Sequence, residues 1–246
     1  MELGLEGRTA IVLGASSGMG LGIAEALTAE RANVAMFARR RDLLEREAER
    51  LGALAVRGDL TNPSHIDALV EQTIAAFGTV DILVLNGGGP PPGTAESLTA
   101  EQIEGAVELL LTSHVRLVGL CLSHLRASGH GRIVAIEGTA VVEPLPHLAL
   151  SNAIRPAVVG WLRTLAREVG ADGVTVNTIL PGRIDTARLR SFSPDGQPPQ
   201  DNDDVLLGRI GTVGEIADVV CFLASDRASY VTGAVIPVDG GLVLGA

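Results

Sequence analysis

Short runs rich in apolar and β-branched residues alternate with longer segments of helical period along all 246 residues, and this alternation restricts the fold more than any other feature. The strand-like runs are Thr9 to Leu13, Asn33 to Ala38, Ala53 to Arg57, Asp81 to Leu85, Arg132 to Ile136, Thr175 to Ile179 and Val235 to Val238. Helical segments lie between them at 18–30, 41–51, 63–77, 99–127, 150–170 and 213–224. Asp42 is placed to cap the second helix, and Asn62-Pro63 or Thr61 to start the third. Strand, helix, strand in repetition predicts an α/β fold: a doubly wound, seven-stranded parallel sheet with helices on both faces, in a single domain spanning 1–246. From Ala187 to Asp204 the sequence ARLRSFSPDGQPPQDNDD breaks the rhythm and shows no period, which predicts a mobile loop, taken as 187–206. Because the loop follows a strand's carboxyl end, where open α/β sheets bind ligands, it is read as a substrate lid or else as a plain surface loop.

The segment IVLGASSGMG carries Gly14, Ser16, Ser17, Gly18, Met19 and Gly20 directly between the first strand and the first helix. Glycines there permit a tight turn and close backbone approach to a pyrophosphate, which the free N–H groups of the helix end stabilise. NAD binders end the second strand with an acid that bonds the ribose hydroxyls. This chain has Ala38 followed by Arg39, Arg40 and Arg41. Guanidinium groups without a repelling carboxylate favour a 2′-phosphate, hence NADP(H), with Arg39 the first choice and Arg40 the second.

The spacing Gly-x-x-x-Gly-x-Gly resembles that of the short-chain dehydrogenase/reductase family, a Rossmann-type fold, and the resemblance runs to the end of the chain. Asp59-Leu60 resembles the family's adenine-contacting pair. Asn86-Gly87-Gly88 resembles the end of its Asn-Asn-Ala-Gly signature, with Leu85 in place of the first Asn. Pro181-Gly182-Arg183-Ile184-Asp185-Thr186 is similar to the loop that holds the nicotinamide carboxamide. Gly208-Arg209-Ile210-Gly211, Ser229-Tyr230-Val231-Thr232-Gly233 and Val238-Asp239-Gly240-Gly241 follow in the family's order. Within the family, the chain is most similar to 3-oxoacyl-(acyl-carrier-protein) reductase-like members carrying Asn-Gly-Gly-Gly-Pro. The resemblance implies a carbonyl/alcohol oxidoreductase with a small-molecule substrate. It also implies a homo-oligomer, a tetramer or dimer, packed through the helices at 99–127 and 150–170, with Val158, Val159, Trp161, Leu162 and Leu165 supplying apolar surface on the second, some of which must face the chain's own sheet.

Composition then decides what chemistry that resemblance leaves. All nineteen basic residues counted as Lys+Arg are arginines, and Tyr230 is the one tyrosine. Family members reduce ketones with an Asn, a Ser and a Tyr-x-x-x-Lys. Here the Tyr position holds Ser151, the Lys position Arg155, the Ser position Gly138 with Thr139 beside it, and the Asn position Leu110. A serine hydroxyl is a far weaker acid than a phenol of pKa about 10, and an arginine does not relay a proton. Arg155 retains the ability to bond ribose hydroxyls. His147, whose ordinary pKa of about 6.5 suits general acid work, is read as a substitute donor, with Thr139 or water the alternatives, or else as a polar residue of the pocket rim or surface. Glu137 is read as a buried acid or, alternatively, as a partly solvated carboxylate, and His114 as a surface or interface residue. Two functions follow: an NADP(H)-dependent oxidoreductase with unusual proton delivery, or a catalytically impaired NADP(H)-binding sensor or partner subunit.

The net charge of -10 argues against nucleic acid or an anionic membrane as partner. No run is read as a membrane span, and MELGLEGRTA lacks the features of a signal peptide, so the expected location is cytoplasmic. Cys121 and Cys221 have no metal-ligand spacing and are expected in the core.

Overall fold

The computed structural model describes residues 2–193 and 195–244. Seven parallel strands form one sheet in the order β3-β2-β1-β4-β5-β6-β7. They are β1 (Thr9–Leu13), β2 (Asn33–Ala38), β3 (Leu54–Arg57), β4 (Ile82–Leu85), β5 (Arg132–Ile136), β6 (Thr175–Pro181) and β7 (Val235–Val238). The helices are α1 (Gly18–Ala29), α2 (Arg41–Leu51), α3 (Pro63–Phe77), α4 (Ala100–Val107), α5 (Ser113–Ala127), α6 (Ala149–Val169), α7 (Ala187–Arg190) and α8 (Val213–Ala224). Chain order reverses between β1 and β4, and a ligand crevice opens where neighbouring strands send their connections to opposite faces.

Strand alternation explains the two cores. Ala10 and Val12 of β1 point into one face with Ile23, Leu27, Ile216 and Val220 of α1 and α8. Ile11 and Leu13 point into the other with Leu69, Leu117, Val158 and Leu162 of α3, α5 and α6. Since both faces are covered, the strands are apolar throughout rather than alternating.

Several expectations need correction. Asp42 does not cap α2: the N-cap is Arg40, with no side-chain cap, and Asp42 lies in the first turn, where its charge suits the helix dipole. Asn62 does cap α3, its side chain accepting from the Ser64 N–H with Pro63 following. The long helix at 99–127 is α4 and α5 joined by a π-helical turn over Glu108–Thr112. This continuous helix, Ala100–Ala127, is long and apolar enough by length and composition to cross a membrane, contrary to the sequence reading. One apolar side is spent on the chain's interior, with Leu110, Leu117, Val118, Cys121 and Leu125 buried, while Ile103, Val115 and Leu120 stay exposed and Arg116 pairs with Asp67 at 2.6 Å. Val158, Val159, Leu162 and Leu165 of α6 are likewise buried against the chain's own sheet, leaving Trp161 half-buried. The 187–206 segment is not wholly irregular, because Thr186 caps the short α7 by accepting from the Leu189 N–H.

Candidate active site

Two clefts open at the carboxyl ends of the strands and meet at Asn86 and Gly88. The first, of about 570 Å³, lies over the β1–α1 turn. Gly14 has φ 63, and a Cβ there would stand 2.8 Å from the Asn86 carbonyl oxygen. A Cβ on Gly20 would stand 2.4 Å from the Gly14 carbonyl oxygen. The turn is therefore closed tightly on the start of α1, and Asn86 locks it by donating from Nδ2 to the Leu13 carbonyl at 3.2 Å. Ser17 at the N-cap makes no capping bond with its side chain, so the first N–H groups of α1 keep their capacity for an anion.

The arginine run divides by role. Arg41 pairs with Glu45 at 3.5 Å, and Arg39 stands 4.0 Å from Asp59. Arg40 pairs with no carboxylate among the described residues: its Nη2 donates to Ser17 Oγ at 2.5 Å and Ser16 Oγ at 3.3 Å, which places a guanidinium on the glycine turn itself. Asp59 also lines this cleft; although its burial opposes ionisation, donation from the Thr61 N–H and hydroxyl, with Arg39 nearby, holds its carboxyl below the usual range. Leu60, Ala38 and Gly87 complete the predicted wall. Phe37 and Leu109 line it as well and were not foreseen; Phe37 closes β2 with its ring 2.4 Å from where a Cβ on Gly58 would stand.

The second cleft, of about 580 Å³, gathers Gly138, Thr139, Ser151, Arg155, Pro181, Gly182, Ile184 and Thr186, the residues expected at the nicotinamide and the reaction, together with Met19, which was expected with the phosphate turn. Ser151 and Thr139 are 5% and 3% exposed, one at the start of α6 and the other just after β5. Next to Ser151, Asn152 clamps the incoming loop, accepting from the Leu145 N–H at 3.1 Å and donating to the Leu145 carbonyl at 2.9 Å. Arg155, one turn further on, spans the site: Nη1 donates to Glu137 Oε2 at 2.8 Å, and Nη2 donates to the Gly88 carbonyl at 2.6 Å. The Glu137 side chain has no exposure, and its Oε1 has no hydrogen-bond partner. Burial pushes the carboxyl up to about 6 even against the attraction of Arg155. Of its two sequence readings, the buried acid is the one the structure bears.

His147 takes the surface position of its second reading, His114 lies elsewhere than expected, and Arg188 carried no expectation. His147 is exposed, takes φ 58, receives the Gly93 N–H on its carbonyl at 2.8 Å and does not line the second cleft. His114 is 1% exposed rather than on the surface. Neither ring nitrogen has a partner, and burial, with Arg155 nearby, lowers its pKa to about 3, so the ring is neutral. Arg188 on α7, to which no role was given, lines the second cleft beside Phe192.

Comparison with known proteins agrees with this geometry. The profile of a family described as enoyl-(acyl carrier protein) reductase matches residues 14–243. The 3-oxoacyl-(acyl-carrier-protein) reductase FabG of Escherichia coli (strain K12) is 35% identical, covering 98% of this chain and 100% of its own. The chain belongs to the short-chain dehydrogenase/reductase family. Another member, cyclohexanol dehydrogenase of Rhodococcus sp. (strain TK6), is 33% identical over 98% of each chain. A solved structure, L-sorbose reductase from Gluconobacter frateurii complexed with NADPH and L-sorbose, superposes with a TM-score of 0.94 at 32% identity, covering 100% of both chains. The members named here reduce carbonyl compounds or oxidise alcohols, and the chain is a short-chain oxidoreductase by descent.

Proposed function

We propose that this chain is an NADP(H)-dependent oxidoreductase that interconverts a carbonyl and an alcohol with proton delivery unlike that of a Tyr-x-x-x-Lys enzyme. The observation that carries the cofactor reading is Arg40, a carboxylate-free guanidinium bonded to Ser16 and Ser17 where β2 ends in Ala38. The residues fit the cofactor. The closed Gly14–Gly20 turn and the start of α1 suit its pyrophosphate, Arg40 and Arg39 its 2′-phosphate, Asp59 and Leu60 its adenine, Asn86 to Gly88 with Arg155 its ribose, and Pro181 to Thr186 its carboxamide. When bound, the cofactor exchanges a hydride with the substrate.

Thr139 and Ser151 are the hydroxyls in position to hold a substrate oxygen, and each both donates and accepts. They pass a proton between that oxygen and solvent; Arg155 fixes Glu137 and the Gly88 carbonyl beside them and moves no proton. Without a matched general acid, turnover is expected to lie roughly 10²- to 10⁴-fold below that of a phenol-bearing enzyme. The missing phenol equally favours the second reading, an NADP(H) sensor or partner subunit. The proposed assembly is a homo-oligomer in the cytoplasm, with exposed Ile103, Val115 and Leu120 on α4 and α5 as apolar contact surface, and residues 187–206 as the substrate lid.

Titrating the protein with NADPH and NADH tests the cofactor reading. NADPH is expected to bind more tightly, and Arg40→Ala to weaken it roughly 10- to 100-fold while leaving NADH unchanged, the loss of charged hydrogen bonds of about 1.5–3 kcal/mol. Equal binding of the two nucleotides would defeat it. A ketone and alcohol screen then separates the two functions, since nucleotide binding with no turnover across the panel leaves only the sensor. For any substrate found, His147→Ala is expected to leave kcat within twofold, whereas Thr139→Val and Ser151→Ala each lower it by roughly tenfold or more. A collapse on removing His147 would return the proton to that side chain.

A further inference from the structure

The second cleft is built with one cation too many. Its lining holds the arginines Arg155, Arg183 and Arg188 against the carboxylates Glu137 and Asp204. Arg155 is matched to Glu137. Arg183 is matched to Asp204 by two bonds of 2.7 and 2.6 Å. The next arginine along, Arg190, turns away to Asp185, with bonds of 2.9 Å. Arg188 alone among these has no acidic partner within 4.0 Å among the described residues; it makes a single 3.3 Å bond from Nη2 to the Pro90 carbonyl. In a chain of net charge -10, an unmatched positive site at the reacting end is not a general surface property.

Arg188 is an exposed residue whose surroundings contact its guanidinium without neutralising it. Its carbon stands 5.2 Å from the centre of the Phe192 ring, within stacking range. It lies against Gly89, where a Cβ would press on Nη2. A guanidinium carries five N–H donors in a planar fork, and here one bond is made. Burial and the nearby Arg155 both act to lower its pKa, the mark of a cation with nothing to balance it. The remaining donors form the recognition geometry of a carboxylate.

Resting on the oxidoreductase reading, we propose that the substrate is an oxo acid or hydroxy acid, whose carboxylate is held by Arg188 while its carbonyl or hydroxyl oxygen meets Ser151 and Thr139. Arg188 is the specificity-determining residue. The lid helix carries it, so substrate charge and lid position are read by one side chain.

The test uses straight-chain oxo acids of increasing separation between ketone and carboxylate, each beside its methyl ester, with the full-length protein and NADPH. For the acid of matching length, kcat/KM is expected to exceed that of its ester by at least roughly tenfold, and raised salt to narrow the gap. Arg188→Met is expected to abolish the preference by raising KM for the acid roughly 10- to 100-fold relative to that for the ester. Arg188→Lys, which keeps the charge and loses the fork, is expected to fall between; circular dichroism confirms that each variant is folded. Esters turned over as well as acids would overturn the proposal. So would a loss of NADPH affinity in Arg188→Met, which would assign the guanidinium to a cofactor phosphate. Calorimetry of the same acids on NADPH-saturated protein separates this proposal from the one beneath it. Arg188-dependent acid binding without turnover sustains the carboxylate site while removing the oxidoreductase function, and turnover of esters alone does the reverse.

Discussion

Replacing Arg155 with methionine is expected to destabilise the fold by about 3–5 kcal/mol at pH 8, because it strands the Glu137 carboxylate in the interior without a counter-charge. In the native protein that carboxylate has no side-chain exposure, and its one ionic partner is the Arg155 guanidinium at 2.8 Å. The other oxygen, Oε1, has no partner to fall back on. The pH dependence of the loss distinguishes this cause from a packing defect. With Arg155 gone, the Glu137 pKa rises further above about 6, so the variant binds a proton that the unfolded chain does not hold near neutrality. The deficit should therefore shrink as the pH falls toward 5. Glu137→Leu combined with Arg155→Met removes both charges and should recover most of the loss. Urea melts of the two variants at pH 8 and pH 5 make the measurement. An Arg155→Met protein within about 1 kcal/mol of the parent at pH 8 would show that the pair is not the buried ionic unit described above.

That pair also shows where sequence reading stops. The strands were legible because both faces of the sheet are covered, so that each strand appears as an unbroken apolar run such as Ile82–Leu85. The phosphate turn was legible because Gly14 and Gly20 stand where any side chain would strike backbone. The replacements Ser151 and Arg155 could be placed by register within a periodic helix, and both do line one cleft. The Glu137–Arg155 bond joins residues 18 apart on different elements, and no local pattern announces it. The bonds of Arg40 to Ser16 and Ser17 join the start of α2 to the glycine turn, which no local pattern announces. Arg188 lay in a stretch without period, so its cleft-facing place had no signal at all. His114 is different: it stands four residues after buried Leu110 and three before buried Leu117, so the helical period contained its burial and its polar identity obscured it.

His114 gives the second large effect. A histidine held at a pKa of about 3 in the folded state, against 6.5 when free, supports folding fully above pH 6.5 and loses that support as the pH falls toward 3. At about 1.4 kcal/mol per pH unit, the loss amounts to roughly 4–5 kcal/mol by pH 3. Glu137 acts with the opposite sign in part of the same range. Its raised pKa of about 6, against 4.5 when free, means that the folded state gains a proton before the unfolded chain does, so stability rises as the pH falls from 6 to 4.5. Between those values one group takes up a proton on folding while the other releases one, and their contributions nearly cancel. Below 4.5 only the histidine remains of the two. The parent protein is therefore expected to hold nearly constant stability from pH 6 to pH 4.5 as far as these groups control it, then to lose it steeply. His114→Leu is expected to move the acid transition to lower pH, and Glu137→Gln to start the decline near pH 6.5 by removing the compensation. Denaturant melts at half-unit pH intervals for the three proteins resolve the difference. An acid transition unaltered in His114→Leu would mean that the imidazole accepts its proton in the folded state and reaches solvent or an acceptor to do so.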